Sequence, residues 1–194
     1  MLFDASRLRA ALARPAQASS DFDLNPAFQM PDRTLRPAAV LVAVQGDRLI
    51  LTKRSSHLLH HPGQIAFAGG KLDPGDTGLE ACALREASEE IGLPVAAVEI
   101  MGRLPVHETV TGFTVTPILA LISDFTPVPE AGEVDEVFTV PLSHVLNPAR
   151  YRIEGRRWRG EWRRYYAVPY GPYYIWGATA RILRGLAERV QDAD

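Results

Sequence analysis

Glu86, Glu89 and Glu90 fall within five consecutive residues, in the run Arg85-Glu86-Ala87-Ser88-Glu89-Glu90-Ile91-Gly92-Leu93. On a helix, Glu86 and Glu90 are four apart and Glu86 and Glu89 three apart, so the three carboxylates share one face. Like charges at that spacing repel, and a stable helix needs something to neutralise them. A hard divalent cation suits the task, because Mg²⁺ takes carboxylate oxygen and commonly shares its shell with substrate phosphates. The bland alternative is a solvated helix face balanced by basic neighbours, with little energetic weight. Arg85 is not itself a metal ligand; its planar fork can hold a helix carboxylate in place.

These acids need a helix to align them, and the local sequence predicts one. Thr77 followed three residues later by Glu80 is a capping-box pattern, with Asp76 as an alternative cap. Ala81, Ala83, Leu84 and Ala87 favour helix. Gly92 suits the left-handed position after the last turn, and Pro94 prevents continuation. Leu84, Ala87 and Ile91 recur on one face and are expected to pack on a core. Around this helix, residues 4–13 read as another helix, and 15–37, rich in Pro, Asp, Ser and Asn, as a loop wrapping the fold. Strands are expected over 38–44 and 49–53 (a hairpin turning at Gln45-Gly46-Asp47), 65–67, 98–104, 113–122 and 133–140. Residues 151–168 read as a hairpin turning near Gly155 or Gly160, and 175–190 as the final helix. Strands flanked by helices predict an α/β fold, an α/β/α sandwich formed by a single domain over 1–194.

With these residues in view, the segment resembles the Nudix box of the Nudix hydrolase superfamily: G, five residues, E, seven residues, R-E-U-x-E-E-x-G-U, where U is aliphatic. The second half matches Arg85 to Leu93, with Ala87 as a small U. The first half departs from it. Five residues lead from Gly70 to Asp76, where Glu is usual, and eight rather than seven separate Asp76 from Arg85. Upstream, Leu51-Thr52-Lys53-Arg54-Ser55, Gly63, Phe67 and Gly69-Gly70 resemble the coenzyme A pyrophosphatase branch, with Leu59 where that pattern has Arg and Ala68 where it has Pro. Thr109, Thr111-Gly112-Phe113 and the segment from Ile175 to Ala180 also resemble that branch, so the likeness spans about 36–183.

The resemblance implies the Nudix fold, a mixed β-sheet between helices, and Mg²⁺-dependent hydrolysis of the diphosphate of coenzyme A or its thioesters. The products would be 4′-phosphopantetheine (or its acyl form) and adenosine 3′,5′-bisphosphate, with Mn²⁺ as a substitute metal. It implies Glu86, Glu90 and Glu89 as metal ligands, joined by the Gly69 carbonyl. Gly69 and Gly70 would let backbone approach the phosphates, since no side chain intervenes. Arg54, His61 and Lys71 are candidates for substrate contact. Glu89, Glu133 and Glu136 are the candidates for general base; for the last two the bland reading is a charged start to a strand. The expected partner is a small molecule. A broader nucleoside-diphosphate-linked hydrolase acting on ADP-ribose or a dinucleotide is the runner-up. A non-catalytic Nudix-like binding module is the alternative of another class, and the intact acids argue against it.

Composition sets bounds on these readings. The chain has 194 residues, 46% hydrophobic and 23% charged, with a formal net charge of −2, which argues against a general nucleic-acid binder. Seven arginines lie between Arg150 and Arg164, interleaved with Trp158 and Trp162. They could form a stacking-and-phosphate surface, a contact to a ligand's outer phosphate, or a solvated hairpin with the Trp rings packed inward. One cysteine, Cys82, excludes an internal disulfide and fits a reducing, cytoplasmic compartment; it reads as a small packed residue rather than a nucleophile. No apolar run is long enough to span a bilayer. His60 and His61 lack the further ligands that a zinc site needs. No protein partner is inferred.

Overall fold

A computed structural model describes residues 5–29, 33–158 and 160–192. Asp4, where the first helix was expected to begin, lies outside the described residues. In chain order the elements are α1 (Ala5–Ala13), β1 (Ser19–Ser20), β2 (Arg36–Gln45), β3 (Arg48–Arg54), β4 (Ile65–Ala66), β5 (Ala68–Lys71), α2 (Leu79–Ile91), β6 (Val98–Arg103), β7 (His107–Glu108), β8 (Phe113–Ile122), β9 (Val134–Pro141), α3 (Leu142–Val145), β10 (Arg152–Trp158), β11 (Glu161–Ala167) and α4 (Gly177–Gln191).

Among the described residues, β1 to β9 form one sheet. Its centre is the parallel pair β2 and β8, in register from Arg36 with Phe113 to Val44 with Leu121. β3 runs antiparallel to both β2 and β9, and β5 antiparallel to β2. The sheet is therefore mixed. The alternation along β2 builds both layers, because successive strand side chains point to opposite faces. Val42 and Val44 enter a core with Leu8 of α1 and Leu183 and Leu186 of α4. Ala39, Leu41 and Ala43 enter another with Cys82, Ala83, Ala87 and Ile91 of α2. The sheet thus lies between α2 on one face and α1 with α4 on the other, the α/β/α sandwich expected. β10 and β11 form a separate hairpin turning at Gly160.

Helix α2 ends as its sequence predicts. Gly92 is left-handed (φ 67°), and the Leu93 N–H returns to the Ala87 carbonyl at 3.3 Å. Its start differs. The cap position is Gly78, with no side-chain cap. Asp76 accepts from the Asp73 N–H and from Arg85, and Glu80 pairs with Arg103, so the predicted capping box is not formed. Tertiary partners out-compete the local cap. Leu84 is only partly buried, and Cys82 and Ala83 complete the apolar face with Ala87 and Ile91. The expected strand at 65–67 is split by Phe67, and the final helix starts at Gly177, not Ile175.

Candidate active site

Strand β5 delivers Gly69 and Gly70 to the C-terminal half of α2, against Glu90 and Glu86. Their register against Val40 and Ala39 of β2 leaves no room for side chains. A Cβ on residue 69 would lie 2.4 Å from the Ala39 carbonyl oxygen. One on residue 70 would lie 2.4 Å from Glu86 Oε1, so the missing side chain is what lets the Glu86 carboxylate seat against this strand.

Arg85 organises the acids. Its Nε and Nη2 donate to the two oxygens of Asp76 at 2.9 and 3.0 Å, a bidentate pair. Its Nη1 donates to Glu86 Oε1 and Glu89 Oε2, each at 3.0 Å. The Asp76 side chain is only 4% exposed, and the Arg85 guanidinium holds its carboxyl down at about 2. The first acid of the box, displaced by one residue in sequence, therefore anchors the arginine.

Glu90 is on the buried side of α2, 5% exposed. Its Oε2 accepts the Gly69 N–H at 3.2 Å, and its Oε1 is 4.0 Å from Arg54 Nη1. Its carboxyl is pushed up to about 7, chiefly by burial and to a smaller extent by Glu86 and Glu133, against the Gly69 N–H and Arg54. Burial also raises the Glu86 carboxyl, which Arg85 opposes. Glu133, on the exposed loop before β9, bears on both. This is a set of desolvated oxygen donors with surplus negative charge, the chemistry that suits Mg²⁺ or Mn²⁺. Among the described residues no three Asp, Glu, His or Cys groups converge on one point by themselves.

Beside the acids opens a cleft of about 1,080 Å³, above the upper end of the usual range for small-ligand sites. Gly69, Arg54, Lys53, His61 and Glu136 line one side; Arg156, Trp158, Arg163, Tyr165 and Trp176 line another. Arg156 lies over the Trp176 ring (4.6 Å) and Arg163 over Trp158 (4.5 Å). Arg54 and Arg163 each keep a buried Nε without a hydrogen-bond partner. His61 is left-handed (φ 55°), and burial, then Arg54, lowers its imidazole below the ordinary value. Glu136 accepts a hydrogen bond from the Tyr173 hydroxyl, whose ring stacks on Phe138 at 3.6 Å.

The expected site residues thus divide. Glu86, Glu89, Glu90, Arg85, Gly69 and Gly70 meet at the acid cluster, with Glu133 nearby, and Arg54, His61 and Glu136 line the cleft. Lys71 does not line it; its ammonium pairs with Asp73 at 3.4 Å on the surface. The Trp rings of the Arg-rich hairpin are not packed inward as a pair: Trp158 faces the cleft, and Trp162 is 59% exposed over Gly155. The aromatic wall from Tyr165, Tyr173, Tyr174 and Trp176 was not singled out residue by residue in the sequence; only the likeness of the segment from Ile175 pointed there. Cys82 is buried, with its thiol pushed up to about 11 chiefly by burial.

A NUDIX domain family model matches residues 34–161. The chain belongs to the Nudix hydrolases. An uncharacterized Nudix hydrolase NudL of Enterobacter sp. (strain 638) is 44% identical over 159 residues, covering 80% of this chain and 83% of the relative. A NudL of Escherichia coli O7:K1 (strain IAI39) is 40% identical over 171 residues, covering 86% and 89%. The crystal structure of a MutT protein from Methanosarcina mazei Go1 superposes with a TM-score of 0.53 at 19% identity, covering 84% of this chain and 97% of that one, and shares the fold. The chain is therefore a Nudix hydrolase of nucleoside-diphosphate-linked small molecules. Nudix hydrolases generally use divalent metal ions such as Mg²⁺. No helix among the described residues is long and apolar enough to cross a membrane.

Proposed function

We propose that this chain hydrolyses the diphosphate linkage of coenzyme A and its thioesters, releasing 4′-phosphopantetheine or its acyl form and adenosine 3′,5′-bisphosphate. The observation that carries this reading is the placement of arginines in the cleft. Arg54 stands next to the acids, and Arg156 and Arg163 stand on the aromatic wall. Both Arg54 and Arg163 have a buried N–H left to satisfy. A ligand with a diphosphate at the first position and a further phosphate beside a nucleobase would meet cations at both places, and coenzyme A has both.

In this reading Glu86, Glu90 and Glu89, with the Gly69 carbonyl, hold Mg²⁺ or Mn²⁺. When bound, such an ion offsets the charge of a diphosphate that would otherwise repel a nucleophile. Arg85 keeps Glu86 and Glu89 in place. Arg54 faces the diphosphate oxygens, and His61 borders them. Glu133 takes the proton from the attacking water. The other two candidates are already engaged, Glu89 by Arg85 and Glu136 by the Tyr173 hydroxyl. Among the described residues, no hydrogen bond is donated to the Glu133 carboxylate.

The test is a panel with product identification: coenzyme A, acetyl-CoA, ADP-ribose, NADH and diadenosine polyphosphates, each with Mg²⁺, Mn²⁺ and a chelator. Coenzyme A or its thioester should give the highest kcat/KM, with cleavage at the diphosphate. Faster turnover of ADP-ribose or a dinucleotide would replace the assignment, and the aromatic wall suits stacking of their bases as well.

A further inference from the structure

We propose that Asn25, far from the acids in sequence but on the border of the same cleft, is a positioning residue for substrate recognition. It clasps hairpin β10–β11 into place as the far wall of the cleft. The inference rests on the assignment of that cleft to the substrate under the proposed function.

Residues 19–29 cross the molecule as a strap with two anchors. The first is on the sheet. β1 pairs in parallel with β7, so Ser19 lies opposite His107. Ser19 Oγ meets His107 Nδ1 at 2.9 Å, and His107 Nε2 meets Asp21 Oδ1 at 3.1 Å. The other Asp21 oxygen accepts the Val110 N–H at 2.8 Å. His107 is wholly buried. The arrangement has the residue types of a hydrolytic triad, yet every group is used up in tying the strap to the edge of the sheet.

The second anchor is Asn25. It is 8% exposed, so its amide must find partners inside the protein. Its Nδ2 donates to the Arg164 carbonyl and its Oδ1 accepts the Arg164 N–H, both at 2.8 Å. A side-chain amide that donates and accepts at one backbone residue imitates a neighbouring strand, here along the edge of β11 that β10 does not cover. Nδ2 also reaches the Asp21 carbonyl at 3.2 Å, which links the two anchors. Three residues on, Phe28 lies 4.7 Å beneath the guanidinium of Arg163, on the wall that carries Arg163 and Trp158.

The hairpin is a two-stranded ribbon outside the main sheet, and a ribbon of that kind is marginal without support. Its base is held by α4 and by the ring contact of Tyr165 with Trp176 (5.0 Å). Asn25 supplies backbone support one residue from Tyr165 and next to Arg163. Two good hydrogen bonds to main chain there fix the cation–aromatic wall at the distance the substrate requires, and the reacting groups on α2 are untouched.

The experiment compares wild type, Asn25→Ala and Asn25→Asp. Asp keeps an oxygen for the Arg164 N–H and loses both donated bonds. Kinetics use whichever member of the panel above the wild type turns over best, and amide hydrogen exchange across β11 is followed in parallel. We expect Asn25→Ala to raise KM about tenfold with kcat within twofold, Asn25→Asp, whose second carboxylate oxygen would face the Arg164 and Asp21 carbonyls, to raise it at least as far, and exchange in β11 to accelerate in both. A structural lesion that merely removes active molecules would lower kcat and leave KM alone. Unchanged KM in folded variants, or unchanged exchange in β11, overturns the clasp. If Asn25→Ala does not fold, Asn25→Ser, small and uncharged with a hydroxyl, decides by the same two readings. Failure of coenzyme A as a substrate refutes the functional proposal separately, since the clasp is then read on the substrate that replaces it.

Discussion

Glu90→Gln separates what this residue does for the fold from what it does for chemistry. A rise of its carboxyl from 4.5 to about 7 means that keeping it ionised in the folded protein costs about 3 kcal/mol, at about 1.4 kcal/mol per tenfold. The folded chain holds this proton to a higher pH than the unfolded chain. Stability from this residue is therefore full below pH 4.5 and is lost as pH rises to about 7. Gln removes the cost. It also keeps an oxygen for the Gly69 N–H (3.2 Å) and gives up only the long 4.0 Å approach to Arg54, a partly exposed contact contributing roughly 0–1 kcal/mol. In chelator at pH 8, the variant should be more stable than wild type by about 2 kcal/mol, or roughly 4–8 °C in Tm at this chain length. Near pH 4 the two should coincide. Saturating Mg²⁺ should raise the Tm of wild type and leave the variant nearly unmoved, while turnover of the variant falls on the order of a hundredfold. Calorimetric or fluorimetric melts at the two pH values, with and without Mg²⁺, provide the test. A variant less stable than wild type at pH 8 in chelator would show that the Glu90 carboxylate is structurally paired and that its burial is not a strain relieved by a cation.

Glu86→Gln should leave the circular dichroism spectrum unchanged and cut kcat on the order of a hundredfold under saturating Mg²⁺; near-wild-type turnover removes Glu86 from the proposed metal site. Coenzyme A should exceed dephospho-CoA by about tenfold to a hundredfold in kcat/KM, the equivalent of a charge-assisted contact of roughly 1.5–3 kcal/mol, and Arg156→Ala should shrink that ratio; equal efficiencies reject a 3′-phosphate contact. Leu59 is 94% exposed, so Leu59→Arg should leave Tm unchanged and lower KM for coenzyme A severalfold; an unmoved KM would place the loop from His57 to Pro62 away from the substrate. The Cys82 thiol, buried and raised to about 11, should resist iodoacetamide at pH 8 in folded protein and react on denaturation; rapid labelling of the native chain would contradict its burial.

The strands of the central sheet and the C-terminal end of α2 were legible because their determinants are local. β2, β3, β8 and β9 carry β-branched runs whose alternation fixes which side chains enter which layer, and Gly92 with Pro94 dictates where α2 stops. The start of α2 was misread because Asp76 and Glu80 have better partners than the helix N–H groups. Those partners, Arg85 and Arg103, are placed by the tertiary fold. The acid cluster was legible because one helix aligns it. The cleft opposite was not, since its wall joins Arg54 and His61 to Arg163, Trp176 and the strap carrying Asn25. No spacing rule links residues that far apart in the chain. Lys71, a candidate for substrate contact, is instead found outside the lining of the cleft, with its ammonium on Asp73.

The electrostatics of the cluster explain why the shift in spacing within the box is tolerated. Arg85 has one planar fork and four carboxylate oxygens within hydrogen-bond reach, two on Asp76 and one each on Glu86 and Glu89. An Asp is shorter than the Glu usual at that place. The additional residue between Asp76 and Arg85 gives the loop the length to bring the shorter side chain into the same bidentate geometry. Once Arg85 is committed there, the Glu90 carboxylate receives, among the described residues, only one N–H and a distant guanidinium. The burial that raises its carboxyl is thus left uncompensated by any side chain within ordinary hydrogen-bond distance. That asymmetry, three acids fixed by one arginine and a fourth desolvated beside two glycines, is why the proposed function puts its cation on the Glu90 side of the helix, where Arg54 and the cleft begin.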